Sequence, residues 1–178
     1  MMNWSLRLAN DGDIPALEGL IERSVRELQA ADYSAAQMDG ALGSVFGVDR
    51  QLIRDGTYFV VEQEGTIIAC GGWSKRASLF GSDAVRAVED ALLDPVQAAA
   101  RIRAFFVHPK HARRGLGRAI LLACEEAIRA ARFRSIELVA TLPGVPFYRA
   151  FEYADGERYE VPLANGLSLP VVRMSKNL

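Results

Sequence analysis

The sequence has 178 residues, half of them apolar and 24% charged, a composition that suits one soluble domain with a real buried core. Its formal net charge of −1 excludes a global pull toward nucleic acid or an anionic membrane. No stretch approaches the roughly 20 apolar residues of a bilayer span, and the start Met1-Met2-Asn3-Trp4 lacks the basic and apolar regions of a signal peptide, so the expectation is a single cytoplasmic domain over residues 1–178.

Trp4 to Leu8 alternates and reads as a first strand. Asn10 to Asp13 punctuates, with Asp13 as the expected N-cap and Pro15 in the first turn of a helix. Leu17, Leu20, Ile21, Val25 and Leu28 share one face of that helix. Ser34 caps a second helical stretch running to about Leu42, and a short third covers Asp49 to Arg54. Thr57 to Val61 is rich in β-branched and aromatic residues. The turn Glu64-Gly65 joins it to Thr66–Cys70 as a hairpin. From Ser74 to Ala100 periodicity fades into a loop, with a helix expected over Ala84 to Leu93.

Arg101 to Val107 is a strand stopped by Pro109. Gly115 to Arg132 is the clearest helix, with an apolar stripe that includes Leu116, Ile120, Cys124 and Ile128. Ser135 to Ala140 is a strand, Val145 to Ala150 a short helix, and Tyr159–Leu163 with Leu167–Met174 form a hairpin about Asn165-Gly166. This order describes an α/β (α+β) fold: a mixed, mostly antiparallel twisted sheet with helices on both faces, around a parallel, right-handed strand–helix–strand unit from Arg101 to Ala140. Cys70 and Cys124 are too few and too far apart for a disulfide framework or a zinc cluster, so no metal is expected.

Arg101 to Arg118 holds Arg101, Arg103, Lys110, Arg113, Arg114, Arg118, His108 and His111, and no acid. Such a run is ordinarily a solvated face, but here it surrounds Gly115 and Gly117 where a helix opens after a strand. A helix N-terminus leaves amides unpaired and adds partial positive charge. Glycines admit a bulky anion, and arginines add charge-assisted bonds. Together they make a pyrophosphate site. The Gly-Lys-Ser/Thr end of a Walker A motif is absent, and Ile120 stands where the dinucleotide fingerprint needs a third glycine. Nucleic-acid binding through the cluster lacks any recognition motif.

Val107-His108-Pro109 followed by Arg113-Arg114-Gly115-Leu116-Gly117-Arg118-Ala119 strongly resembles the acetyl-coenzyme A signature of the GNAT N-acetyltransferase superfamily, Gln/Arg-x-x-Gly-x-Gly/Ala. The first position departs, holding Ala112. Leu142 to Phe151 is similar to a second family block, with Tyr148 at the tyrosine and Glu152 where a glycine is usual. The resemblance covers nearly the whole order of elements. It implies an acyltransferase moving an acetyl group from acetyl-CoA to a primary amine of a small molecule or peptide. A coenzyme A-binding module without transferase activity is the alternative. It also implies a bulged strand whose end, Phe105, Phe106 and Val107, presents backbone amides to the pantetheine arm and the thioester carbonyl. Arg113, Arg114, Gly115, Leu116, Gly117 and Arg118 would hold the pyrophosphate, and Tyr148 would protonate the departing thiolate. The oxyanion donor is expected at Phe106 or Val107. Glu62, Glu137, His108 and His111 are candidate bases with none singled out. Cys124 lies on the helix's apolar stripe, which disfavours a covalent acetyl-cysteine. Asp32, Asp39, Asp49 and Asp90 are acids able to attract a cationic amine, or scattered surface charges. The final hairpin offers an edge through which a homodimer would pair.

Overall fold

The computed structural model describes residues 3–82 and 90–178. Seven strands form one sheet in the order β1-β2-β3-β4-β5-β7-β6. They are β1 (Ser5–Leu8), β2 (Tyr58–Gln63), β3 (Thr66–Ser74), β4 (Ala100–Val107), β5 (Ser135–Thr141), β6 (Ala154–Pro162) and β7 (Ser168–Asn177). Every neighbouring pair is antiparallel except β4 and β5. The helices are α1 (Ile14–Leu28), α2 (Ala35–Ala41), α3 (Arg50–Arg54), α4 (Leu116–Ala130) and α5 (Val145–Ala150).

Two apolar clusters explain the layering. Leu17, Leu20, Ile21 and Val25 of α1 pack with Met38, Leu52, Val60 and Val171 on one face of the sheet. Leu116, Ile120, Cys124 and Ile128 of α4 pack with Ile68, Ile136, Leu138 and Met174 on the other. The mixed sheet with helices on both faces is thus the expected one.

The local corrections have physical causes. Asp13 does not cap α1 with its side chain. Its carboxylate accepts from Arg7 Nη1 at 2.8 Å and Nη2 at 2.9 Å and from the Asn10 amide at 2.9 Å, and Asn10 caps the 3₁₀ turn that leads into the helix. Ser34 caps α2 in a reciprocal pair with Gln37, as the sequence suggests. Of the helix expected over Ala84 to Leu93, residues 84–89 lie outside the described residues. The described end is not helical, since Leu92 makes an isolated antiparallel bridge to Arg76. β6 starts at Ala154 rather than Tyr159, as an exposed edge strand paired to β7.

The feature that positions the site is a bulge in β4. Opposite β3, Cys70 pairs with Phe106 but Gly72 pairs with Arg103, so Ala104 and Phe105 together face Gly71. Ala104 takes φ +56, a left-handed conformation unusual for a residue with a Cβ. Gly71 admits this because a Cβ there would lie 2.6 Å from Phe105 Cδ2. Gly71→Ala should therefore force Phe105 aside and cost about 1–3 kcal/mol, read as a lower urea midpoint at unchanged m-value.

Candidate active site

β4 and β5 pair only at Ala100 with Ile136 and Arg101 with Glu137. Beyond that both strands continue apart, to Val107 and Thr141. A cavity of about 520 Å³ opens between them. The His108 amide donates to Ile68 O at 2.8 Å, and amides alternate in direction along a strand. Val107 N–H is therefore directed away from β3 toward the cleft, where Ser24 Oγ of α1 accepts it at 3.3 Å. Of the two amides named from the sequence, Phe106 pairs across β3 with Cys70, and Val107 is the one turned to the cavity. The bulge is pinned from below, since buried Tyr58 donates its hydroxyl to Ala104 O at 3.0 Å.

The wall across from this edge is the start of α4. Arg113 (φ +64) and Gly115 (φ +81) turn the chain into the helix. The first helical bond there runs from Ala119 N to Gly115 O at 3.0 Å, so the amides of Leu116, Gly117 and Arg118 precede the helical ladder. Arg113, Gly115, Leu116, Gly117 and Arg118 all line the cavity, as do Phe105, Phe106 and Val107. Arg114 is exposed and does not line it. The surroundings fit a pyrophosphate: unpaired amides, a helix dipole and two guanidinium groups at one mouth.

Tyr148, on α5, closes the far side. It is buried, with its ring edge-on to Phe105 at 6.3 Å, Phe147 at 5.1 Å and Tyr153 at 5.7 Å between centroids. It lines the cavity. Burial, and then nearby Cys124, raise its phenol well above the ordinary value, so it carries its proton throughout the working pH range. α5 ends with Glu152 at φ +68, a left-handed helix end of the kind that favours glycine. The related motif's glycine is explained by that geometry.

The candidate bases fare differently. Glu62 accepts from Arg7 Nε at 2.9 Å and Nη2 at 2.7 Å. Glu137 accepts from Arg101 at 2.7 Å and Arg173 at 2.6 Å. Neither lines the cavity. His108 also lies off it, with Nε2 2.9 Å from Arg23 Nη1. Burial, then the Arg23 charge, hold its pKa below the usual histidine value. His111 does line the cavity. Asp32, Asp39, Asp49 and Asp90 do not. Asp49 is not a surface charge but a buried partner of Arg103, 2.9 Å away. Arg103 also donates to Ser78 O at 3.0 Å and Gly81 O at 2.6 Å, tying the loop after β3 to the cavity floor. With Arg101 and Arg103 both in ion pairs, the basic run is not one free patch. Cys124 is fully buried away from the cavity, and burial raises its thiol pKa, which keeps it protonated. Among the described residues no helix is long and apolar enough to cross a membrane.

A sheet parted around a cavity, with unpaired amides and two guanidinium groups at its mouth, suits a coenzyme-dependent acyltransferase. Residues 23–153 match the Acetyltransferase (GNAT) family, and the chain belongs to that family. No curated protein matches the sequence significantly. Among solved structures, the fold is similar to that of a GCN5-related N-acetyltransferase from Rhodopseudomonas palustris, at 20% identity and a TM-score of 0.72 over 98% of this chain and 95% of that one. It is also similar to PaiA N-acetyltransferase from Thermoplasma acidophilum in complex with coenzyme A, at 11% identity and 0.64 over 99% and 100%. A protein assigned as an acetyltransferase from Salmonella typhimurium, with its cofactor acetyl-CoA, gives 14% and 0.64 over 98% and 94%. At these identities the likeness is one of fold.

Tyr58→Phe should cost about 1–3 kcal/mol, because the bulge carbonyl loses its buried donor. Chemical denaturation measures that loss, and unchanged stability would show that the hydroxyl does not hold the bulge.

Proposed function

We propose that the protein moves an acetyl group from acetyl-CoA to a primary amine of a small molecule by direct transfer. One observation carries the reading: a single cavity joins the unpaired amides at the start of α4, the Val107 amide on the parted edge of β4, and Tyr148. Acetyl-CoA supplies the acetyl group already activated as a thioester. The amides from Gly115 to Arg118, with the Arg113 and Arg118 guanidinium groups, hold the diphosphate, and the edge Phe105 to Val107 aligns the pantetheine arm. Val107 N–H, exchanging Ser24 Oγ for the carbonyl oxygen, stabilises the negative charge that grows there. Tyr148 gives its proton to the departing sulfur, the role of a general acid. No Asp or Glu among the described residues lines the cavity. With no described carboxylate there, the amine gives its proton to water or to His111, the candidate base that lines the cavity.

A coenzyme A-binding module without transferase activity would have no use for a raised, protonated Tyr148 at the cavity, and two variants separate the readings. In Gly117→Glu the new Cβ meets Phe147 at 3.4 Å and the carboxylate enters the diphosphate site. Glutamate is a better helix former than glycine, so the fold survives. Acetyl-CoA binding by calorimetry is expected to weaken at least a hundredfold, roughly 2.7 kcal/mol. Tyr148→Phe should leave that binding intact and lower kcat by about a hundredfold.

The pH profile follows from the same groups. Tyr148, raised above the usual phenol value of about 10, stays protonated as pH rises to that value, so it imposes no alkaline fall below it. The rate should climb with pH toward the acceptor amine's own pKa. A fall in kcat between pH 7 and 9 would contradict Tyr148 as the acid.

A further inference from the structure

Part of the cavity wall lies outside the coenzyme-holding residues, and its chemistry narrows the acceptor. Beyond Val107 the lining passes to the end of α1 (Leu28, Gln29), the turn after α2 (Val45, Phe46) and the loop after β3 (Leu79, Phe80). Leu28 and Phe80 each keep 38% of their surface exposed there. That is apolar area waiting for an apolar partner. Arg103, His111, Arg113, Arg118 and Tyr148 are the titratable groups that line the whole cavity among the described residues, and none is an acid. A polycationic amine finds no counter-charge there. The arginines at the mouth are claimed by the diphosphate in the reading above, and Arg103 is bonded to Asp49 and to two loop carbonyls, so a free carboxylate on the acceptor is not called for.

In this apolar part of the wall stands one side chain with unspent polarity. Gln29 is only 8% exposed and its Oε1 is buried with no hydrogen-bond partner. A buried acceptor left without a partner is costly to keep, and at this place, lining the cavity, the cost is offset when a ligand donates to it. Gln29 is five residues beyond Ser24, whose hydroxyl marks the Val107 amide. At helical rise that is about 7 to 8 Å along α1.

We infer that the acceptor is a primary amine on an apolar body, bearing one uncharged polar group about that far from its nitrogen, and that Gln29 selects it by hydrogen-bonding that group. The inference rests on the acetyl-transfer reading and names its substrate class. The selecting contact discriminates because an acceptor without the polar group leaves Gln29 unpaired in the complex.

Tyramine and phenethylamine are a matched pair of probes: both are apolar-bodied amines, and tyramine alone carries a hydroxyl at a comparable span. Acetyl-CoA turnover is followed by thiol release with each, and with spermidine and glutamate as charged comparators. The wild type should acetylate tyramine with kcat/KM about tenfold above phenethylamine and at least a hundredfold above either comparator. Gln29→Met keeps the volume and removes the unpaired Oε1. It should melt no lower than the wild type and lose the tenfold preference through KM. Preferred turnover of spermidine or glutamate, or a preference for tyramine that survives Gln29→Met, would overturn the inference and leave acetyl transfer standing. Failure of the wild type to bind acetyl-CoA in calorimetry would overturn acetyl transfer itself, and this inference with it.

Discussion

Strands β4 and β5 stay paired for two residues and then separate, and the bulge at Ala104 is what bends β4 away. An extra residue on one strand of a pair kinks that strand and sharpens its twist. Here it also reverses which groups face which side. Phe105 turns to the α4 side and meets Tyr148, while Phe106 packs on the α1 side against Phe46, ring centroids 6.0 Å apart. Past the kink, Val107 presents its amide to an opening instead of to a neighbouring strand. A regular β4 paired along its length with β5 would have no cavity and no amide turned toward it. Tyr58 and Gly71 belong to this same device: one bonds the bulge carbonyl and the other leaves room for the displaced ring.

Charge is partitioned as sharply as shape. The acids near the sheet are committed elsewhere, Glu62 to Arg7, Glu137 to Arg101 and Arg173, Asp49 to Arg103, and buried Glu125 to Lys176 and the Tyr153 hydroxyl. Among the described residues, what faces the cavity is cationic at its mouth, and Arg103 on its floor is already paired with Asp49. A field of that sign suits a diphosphate at the start of α4, and no Asp or Glu among the described residues lines the cavity to hold an ammonium ion. In the proposed reaction the amine's proton is left to solvent or to His111, and selection among amines to apolar contact and a neutral hydrogen bond.

What was legible in the sequence was what is local. The stripe of α4, the cap at Ser34, the turn at Asn165-Gly166 and the glycine-led helix start all follow from residues within a few positions of one another. The bulge was not legible from Ala104, which has no feature that announces a left-handed φ. The one signal lay on the partner strand, where Gly71-Gly72 interrupts an otherwise apolar run. That same pair of glycines hid the full length of β3, which continues to Ser74. Asp49 looked like a loose surface acid because its partner, Arg103, is 54 residues away. Ser24 and Gln29 sit on the polar margin of a helix whose apolar face is obvious, and only the approach of β4 and of the loop after β3 gives them a role. Asp13 shows the opposite error: a good local cap was overridden by an arginine from the first strand.

The departures from ordinary folding rules are not scattered at random. Of the five non-glycine residues with positive φ among the described residues, Glu64 lies in a hairpin turn, and Arg132 and Glu152 follow the ends of helices, where such conformations are common. The other two, Ala104 and Arg113, line the cavity. Each costs about 1–2 kcal/mol, and the unpaired Gln29 Oε1 adds a penalty of similar size. The two apolar clusters on either face of the sheet supply the stability that tolerates these costs, since each fully buried Leu or Ile contributes about 1.5–3 kcal/mol. Strain and unmet hydrogen bonds therefore persist where a ligand can relieve or use them, on the β4 edge, at the α4 start and at the end of α1, and these three places face one another across a single opening.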